Sequence, residues 1–242
     1  MRLDDVALVL APTVRSRAYV QALMQRGLVP GRAYLLPGTA QHSPVDGEIS
    51  LELRPDGGRF NFRPNADLIG LLHEAGIRFE ELPSADINGE ACRETLQAAG
   101  EDMLVYSGLG GVLLKDSLLG IGKKFIHVHG GYAPQYRGST AFYFSFLEQG
   151  VAGATAMILD NGIDTGAVIK RRQYRLIPGL SIDYVLDPSI RADLLVDVLG
   201  DRAVGAAFDA RRIENEVERT YFVIHPVLKH IALQRNELVE SI

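Results

Sequence analysis

His127 and His129 end an apolar run one residue apart, and two loops follow them. The first reads Ala133-Pro134-Gln135-Tyr136-Arg137-Gly138. The second reads Asp160-Asn161-Gly162-Ile163-Asp164-Thr165-Gly166. On a strand, residues i and i+2 point to the same face, so both imidazoles are expected to reach one ligand. Imidazole titrates near neutral pH, and a carboxylate such as Asp164 can raise its pKa or fix its tautomer. A base, its orienting carboxylate and a ligand loop at one sheet edge suit acid–base chemistry. The same three side chains also fit a zinc or iron site, with His127, His129 and Asp164 as ligands.

These groups need strands to carry them. Val6–Leu10 reads as a buried strand, followed by the loop Ala11–Ser16 and a helix to about Gly27. No Gly-x-Gly-x-x-Gly follows that strand, so a dinucleotide cofactor is not expected. Ala33–Pro37 reads as a second strand. Residues 38–64 read as an irregular excursion with a short hairpin around Asp56-Gly57-Gly58. A helix over 65–76, a strand over 78–82 and a helix over 88–99 capped by Asn88 come next.

Met103–Ser107 reads as a buried strand that runs into a glycine-rich stretch, where Gly108, Gly110 and Gly111 allow a ligand close to the backbone. Strands over 124–128 and 153–159 bring up His127 and Asp160, with a helix between them from Ser139 to Gly150, its first turn capped by Ser and Thr. An extended segment over 168–174, a helix opened by Asp187-Pro188 and ending at Gly200, a strand over 220–224 and a terminal helix after His225-Pro226 complete the chain. The repeating order of strand and helix predicts an α/β, mainly parallel sheet.

Composition narrows the function. The chain has 242 residues, 47% of them hydrophobic, enough for one large domain or one domain with a small appendage. The formal net charge is −5 without a long basic run, which argues against a nucleic-acid partner. Cys92 is the single cysteine, which rules out an intrachain disulfide; it is expected to be a packed residue rather than a nucleophile. No stretch of about 18 apolar residues and no signal-peptide pattern is seen, so no membrane partner and a cytoplasmic location are expected.

The two loops and the spacing between them resemble the folate-dependent formyltransferase family, which includes methionyl-tRNA, glycinamide ribonucleotide and sugar N-formyltransferases. That family carries Asn-x-His, then a Leu-Pro-x-Tyr-Arg-Gly-like loop, then an Asp-x-Gly-x-Asp-Thr-Gly-like loop. The resemblance places His129 on the catalytic His and Asp164 on the catalytic Asp, and it puts His127 where the family has Asn.

It implies a Rossmann-like, mainly parallel sheet of the formyltransferase type. Residues 1–175 would form the catalytic domain, and 176–242 a short C-terminal extension packed on it without a full C-terminal barrel. It implies 10-formyltetrahydrofolate as formyl donor, held by Gly110, Gly111, Val112 and Leu113 and by the loop of Asp160, Asn161 and Gly162. It implies a small amine acceptor, an amino sugar or amino acid derivative, met by Arg15 and Ser16, with Arg137 able to hold an anionic group. A homodimer stays open. Two readings stand beside transfer: a folate-binding module with altered catalysis, and a metal-dependent hydrolase using the two histidines and Asp164.

Overall fold

The structure, a computed structural model, describes residues 1–205, 208–214 and 216–238. The end of the expected extension, residues 239–242, lies outside these. In chain order the elements are β1 (Arg2–Leu10), α1 (Val14–Gln25), β2 (Val29–Leu35), β3 (Ile49–Leu51), β4 (Phe60–Phe62), α2 (Leu68–Glu74), β5 (Phe79–Glu81), α3 (Glu90–Gln97) and β6 (Met103–Ser107). Then come α4 (Asp116–Leu119), β7 (Lys124–His129), β8 (Arg137–Gly138), α5 (Ala141–Gln149), β9 (Val151–Ile158), β10 (Ala167–Arg175), α6 (Asp187–Ala203), β11 (Thr220–Tyr221) and α7 (Pro226–Leu238).

Seven strands form one sheet in the order β10-β9-β7-β6-β1-β2-β5. The pairs from β5 through β7 are parallel, and β9 runs antiparallel to both β7 and β10. The fold is thus Rossmann-like and mostly parallel. Among the described residues no barrel closes after β10, and no helix is long and apolar enough to cross a membrane.

Strand alternation explains the layers. Val6, Leu8 and Leu10 of β1 join the larger core with α1, α2, α5 and α6, while Ala7 and Val9 join the smaller core with α3 and α4. Fully burying such aliphatic side chains stabilises by roughly 1.5–3 kcal/mol each. In β6 and β7 the same alternation sends Leu104, Tyr106 and Phe125 to the smaller core. His127 and His129 follow Phe125 at two-residue steps, so they share its face. The connection from β6 to β7 holds only the four-residue α4. Leu118 of that helix packs into the smaller core with Phe125.

β2 lies on one side of β1 and β6 on the other, so the chain switches direction between β1 and β6. Open α/β sheets bind ligands at such a point, outside the carboxyl ends of the strands. Arg15 follows β1 there, and Gly108 to Leu113 follow β6.

Local details differ from the sequence reading. The hairpin of β3 and β4 brackets Asp56–Gly58, as expected. Asn88 does not cap α3; its amide instead binds the Leu113 carbonyl (3.0 Å) and the Lys115 N–H (2.8 Å), tying α3 to the loop after β6. Thr140 precedes α5 at φ +53° without a side-chain cap, because its hydroxyl serves the Phe222 carbonyl and the Ile224 N–H. Asp187 does not cap α6 either, since a π-helical turn over Ile182–Leu186 leads directly into it. The strand expected over 220–224 keeps only Thr220 and Tyr221, paired with β8. Phe222 and Val223 turn outward, 76% and 78% exposed.

Candidate functional site

A cleft of about 590 Å³ opens at the carboxyl ends of β1, β6 and β7. His127, His129 and Asp164 line its wall, Gly110–Leu113 one rim and Asp160–Gly162 another. Leu113, Phe222 and Val223 make the mouth apolar.

The two histidines are held differently. His127 Nδ1 lies 3.1 Å from the Tyr106 carbonyl, which can only accept, so Nδ1 carries a proton. Burial, and then the Arg15 guanidinium, push His127 down to about 3 against the opposing pull of Asp164. The ring is therefore neutral at pH 7, and its one N–H is spent on Tyr106. Nε2 is left as an acceptor. His127 can take a proton here but cannot donate a hydrogen bond as an asparagine would.

His129 has oxygen on both sides. Nε2 donates to the Tyr136 carbonyl at 2.8 Å, and Nδ1 lies 3.3 Å from Asp164 Oδ2. Gly131 permits this, because a Cβ there would sit 2.4 Å from His129 Nε2 and 2.3 Å from the Tyr136 oxygen. Asp164 adopts φ +52°, a left-handed conformation that aspartate tolerates better than most residues. Its Oδ2 also accepts the Gly138 N–H at 2.9 Å. Burial pushes the Asp164 carboxyl up, but His129, His127, Gly138 and Arg191 outweigh it and hold the group below its ordinary value.

Arg15 reaches the cleft from the start of α1. Its Nε donates to Ser107 Oγ (3.1 Å) and its Nη2 to the Gly108 carbonyl. Burial and the neighbouring Arg191 lower its pKa from the ordinary value. Ser16 does not reach the cleft. It is fully buried, with its hydroxyl 2.9 Å from Ser107 Oγ, so it braces α1 against β6. Arg137 also points elsewhere. It pairs with Glu218 (3.1 Å) in a neighbouring polar cavity of about 390 Å³, which touches the cleft only through Asp164. Asp160 spends its carboxylate on its own loop, accepting from the Gly162 N–H (3.1 Å), Thr165 (2.6 Å) and Arg212 (2.9 Å). The loop from Asp160 to Asp164 nevertheless lines the cleft.

Sequence reading missed Tyr106 and Arg191. Tyr106 looked like one more buried strand residue. Arg191 sits four residues after Asp187 and binds it at 2.9 Å, a spacing that ordinarily marks a solvated helix pair. Its Nη1 also donates to the Val128 carbonyl at 3.3 Å, which brings α6 to the cleft floor. His225 is exposed, its Nδ1 accepting from the Val227 N–H. The three candidate residues do not make a metal site. No group of three or more His, Cys, Asp or Glu side chains able to hold an ion occurs among the described residues.

Residues 74–188 match the family model described as formyl transferase. That segment spans β5 to the start of α6 and includes all three candidate residues. Over this segment the chain is similar to the formyl transferase family. It is 30% identical over 129 residues to a methionyl-tRNA formyltransferase of Ruminiclostridium cellulolyticum, covering 52% of this chain and 41% of that protein. It is 28% identical over 138 residues to formyltetrahydrofolate deformylase 2, mitochondrial, of Arabidopsis thaliana, covering 56% and 42%. The chain thus spans under half the length of these curated relatives. Among solved structures, a sugar N-formyltransferase from Shewanella sp FDAARGOS_354 superposes with a TM-score of 0.57 at 15% identity, over 97% of this chain and 88% of that one. At that identity the likeness is one of fold.

Proposed function

We propose that the protein transfers a formyl group from 10-formyltetrahydrofolate to a small amine, an amino sugar or amino acid derivative. One observation carries this reading: His127, His129 and Asp164 meet on one wall of a cleft rimmed by Gly110–Leu113 and Asp160–Gly162. The cleft fits the donor. Its volume lies within the usual range for ligand pockets, its mouth is apolar, and no atom stands within 4 Å of where a Cβ on Gly110 or Gly111 would be. A flat ring can therefore lie against that backbone. The donor supplies an activated formyl carbon and a nitrogen leaving group.

The residues divide the remaining work. The attacking amine must lose a proton as its bond to the formyl carbon forms, and His127 Nε2 is the acceptor that faces the cleft. His129 is fixed between the Tyr136 carbonyl and Asp164, which sets its ring orientation beside the reacting centre. Asp164 balances positive charge there, and its left-handed backbone holds that placement against strain. Arg15 contacts the acceptor amine, whereas Arg137 and Ser16 take structural roles.

A second reading rests on the bare His127 Nε2 and on the deformylase relative. The same base could deprotonate water, and the products would be formate and tetrahydrofolate. The test is donor consumption with and without a panel of amines, with formate and formylated amine both measured. Amine-dependent loss of donor with formylated product supports transfer. Formate release that ignores every amine supports hydrolysis. An unchanged donor in all arms overturns both.

A further inference from the structure

We infer that the acceptor amine carries a carboxylate and that Arg15 grips it at the floor of the cleft. The inference rests on the proposed reading for the identity of the site, and it adds the chemical class of the acceptor.

Arg15 is a cation without a counter-ion. No carboxylate lies within ion-pair distance of it among the described residues, while Arg191 beside it is paired with Asp187. One edge of its guanidinium, Nε and Nη2, is used by Ser107 and the Gly108 carbonyl. The other edge, Nη1 with the second Nη2 hydrogen, has no protein acceptor among the described residues. Two parallel N–H groups on one edge are the geometry that matches the two oxygens of a carboxylate. The side chain is part-buried, so a ligand that shuts water out of the cleft gains by completing the fork.

A second observation points to the same place. Tyr106 lines the cleft and is 4% exposed, and its hydroxyl is buried with no hydrogen-bond partner among the described residues. It lies against Gly108, where a Cβ would come within 2.0 Å of it. Since the Gly108 carbonyl takes Arg15 Nη2, the orphan hydroxyl and the Arg15 guanidinium both lie against Gly108. The guanidinium edge offers the charge-assisted donors, and the hydroxyl is a further unpartnered donor in the same wall of the cleft.

A carboxylate suits this seat better than a phosphate. Phosphates favour free amides at a helix N-terminus. In α1 the Val14 N–H already donates to Gln41 Oε1 (3.1 Å) and the Ser16 N–H to Thr13 Oγ1 (3.2 Å). What remains is one planar fork, the Arg15 N–H and one hydroxyl, enough for a singly charged group.

Calorimetric binding and donor consumption would be measured on wild type, Arg15→Met and Arg15→Lys. The probes are the common amino acids and 2-amino-2-deoxyuronic acids, each beside its methyl ester, with phosphoethanolamine as the phosphate arm. At least one acid is expected to bind, with its ester roughly 10- to 100-fold weaker, the usual worth of a hydrogen-bonded charge. Arg15→Met should lose the same factor for the acid and much less for the ester, so that the acid–ester gap closes, with Arg15→Lys in between. Equal binding of acid and ester, a preference for the phosphate, or no binding of any amine by wild type overturns the inference. Should Arg15→Met fail to fold, the acid–ester comparison on wild type still decides. Acid-selective binding without donor consumption would sink formyl transfer and keep this inference. Donor consumption with acid and ester alike would do the opposite.

Discussion

Two charged clusters on this molecule are built on opposite plans. One joins the loop between β3 and β4 to α6 and β10. There Arg54 meets Asp193 (2.9 Å) and Asp197 (2.7 Å), Arg172 meets Asp197 (2.6 Å) and Asp193 (3.3 Å), and the Tyr174 hydroxyl donates to Asp193 at 2.8 Å. Lys170 closes the set on Asp201 and Asp197. Each cation there has an anion. The cleft cluster is incomplete instead: among the described residues Arg15 lacks a carboxylate, the Tyr106 hydroxyl lacks a partner, and His127 presents a bare Nε2. Complete pairing pins an irregular excursion to the scaffold. Incomplete pairing leaves capacity that a ligand can use, because buried polar groups are strongly driven to find partners.

Substitutions can break the contrast. On the proposed reading, His127→Ala removes the proton acceptor and should lower formyl transfer by roughly 100-fold, the low end for a positioned base, because burial leaves the ring weakly basic. Its melting temperature should stay close to wild type, because only one hydrogen bond to Tyr106 is lost. Single-turnover kinetics beside a thermal melt would check both halves. Asp193→Ala should do the reverse. Arg54, Arg172 and Tyr174 would lose their shared anion, and breaking a buried pair typically costs about 3–5 kcal/mol. Denaturant unfolding should show that loss, while the folded fraction keeps its donor affinity. A loss of affinity without a loss of stability would contradict the division between the clusters.

A smaller effect concerns pH. His127 falls from an ordinary 6.5 to about 3 in the folded protein. Between those values the unfolded chain takes up a proton there and the folded chain does not, so stability falls as pH drops through that window. The lowered Asp164 carboxyl acts in the same direction at the acidic end, since its contribution is lost as pH falls through its folded value. Unfolding free energies from pH 7 to pH 4 should therefore slope less in His127→Asn than in wild type. Equal slopes would mean that His127 is not held neutral by burial and Arg15.

Much of this was legible in the sequence, and the reasons are physical. The apolar runs of β1, β6 and β7 are buried on both faces, so they stand out by composition alone. The pair His127 and His129 declared a shared face because strand alternation is strict. The loop at Asp160–Gly166 announced itself by its turn residues. Side-chain commitments were harder to read. Ser16 and Arg15 are adjacent on α1, yet one turns into the helix–sheet contact and the other into the cleft. Arg137 sits in a loop that also faces 216–218, and only the return of the chain at β11 supplies Glu218. The His127 tautomer depended on a carbonyl 21 residues away in β6. Such partners are set by tertiary packing, and no local pattern encodes them.

The most direct test of the central claim is calorimetric titration of wild type and His127→Asn with 5-formyltetrahydrofolate. The account predicts one site per chain in wild type, with affinity kept within a few-fold in His127→Asn because the ring acts on a proton rather than on the pterin. No binding by wild type would contradict it, and binding by His127→Asn alone would show that the imidazole closes the cleft to folate.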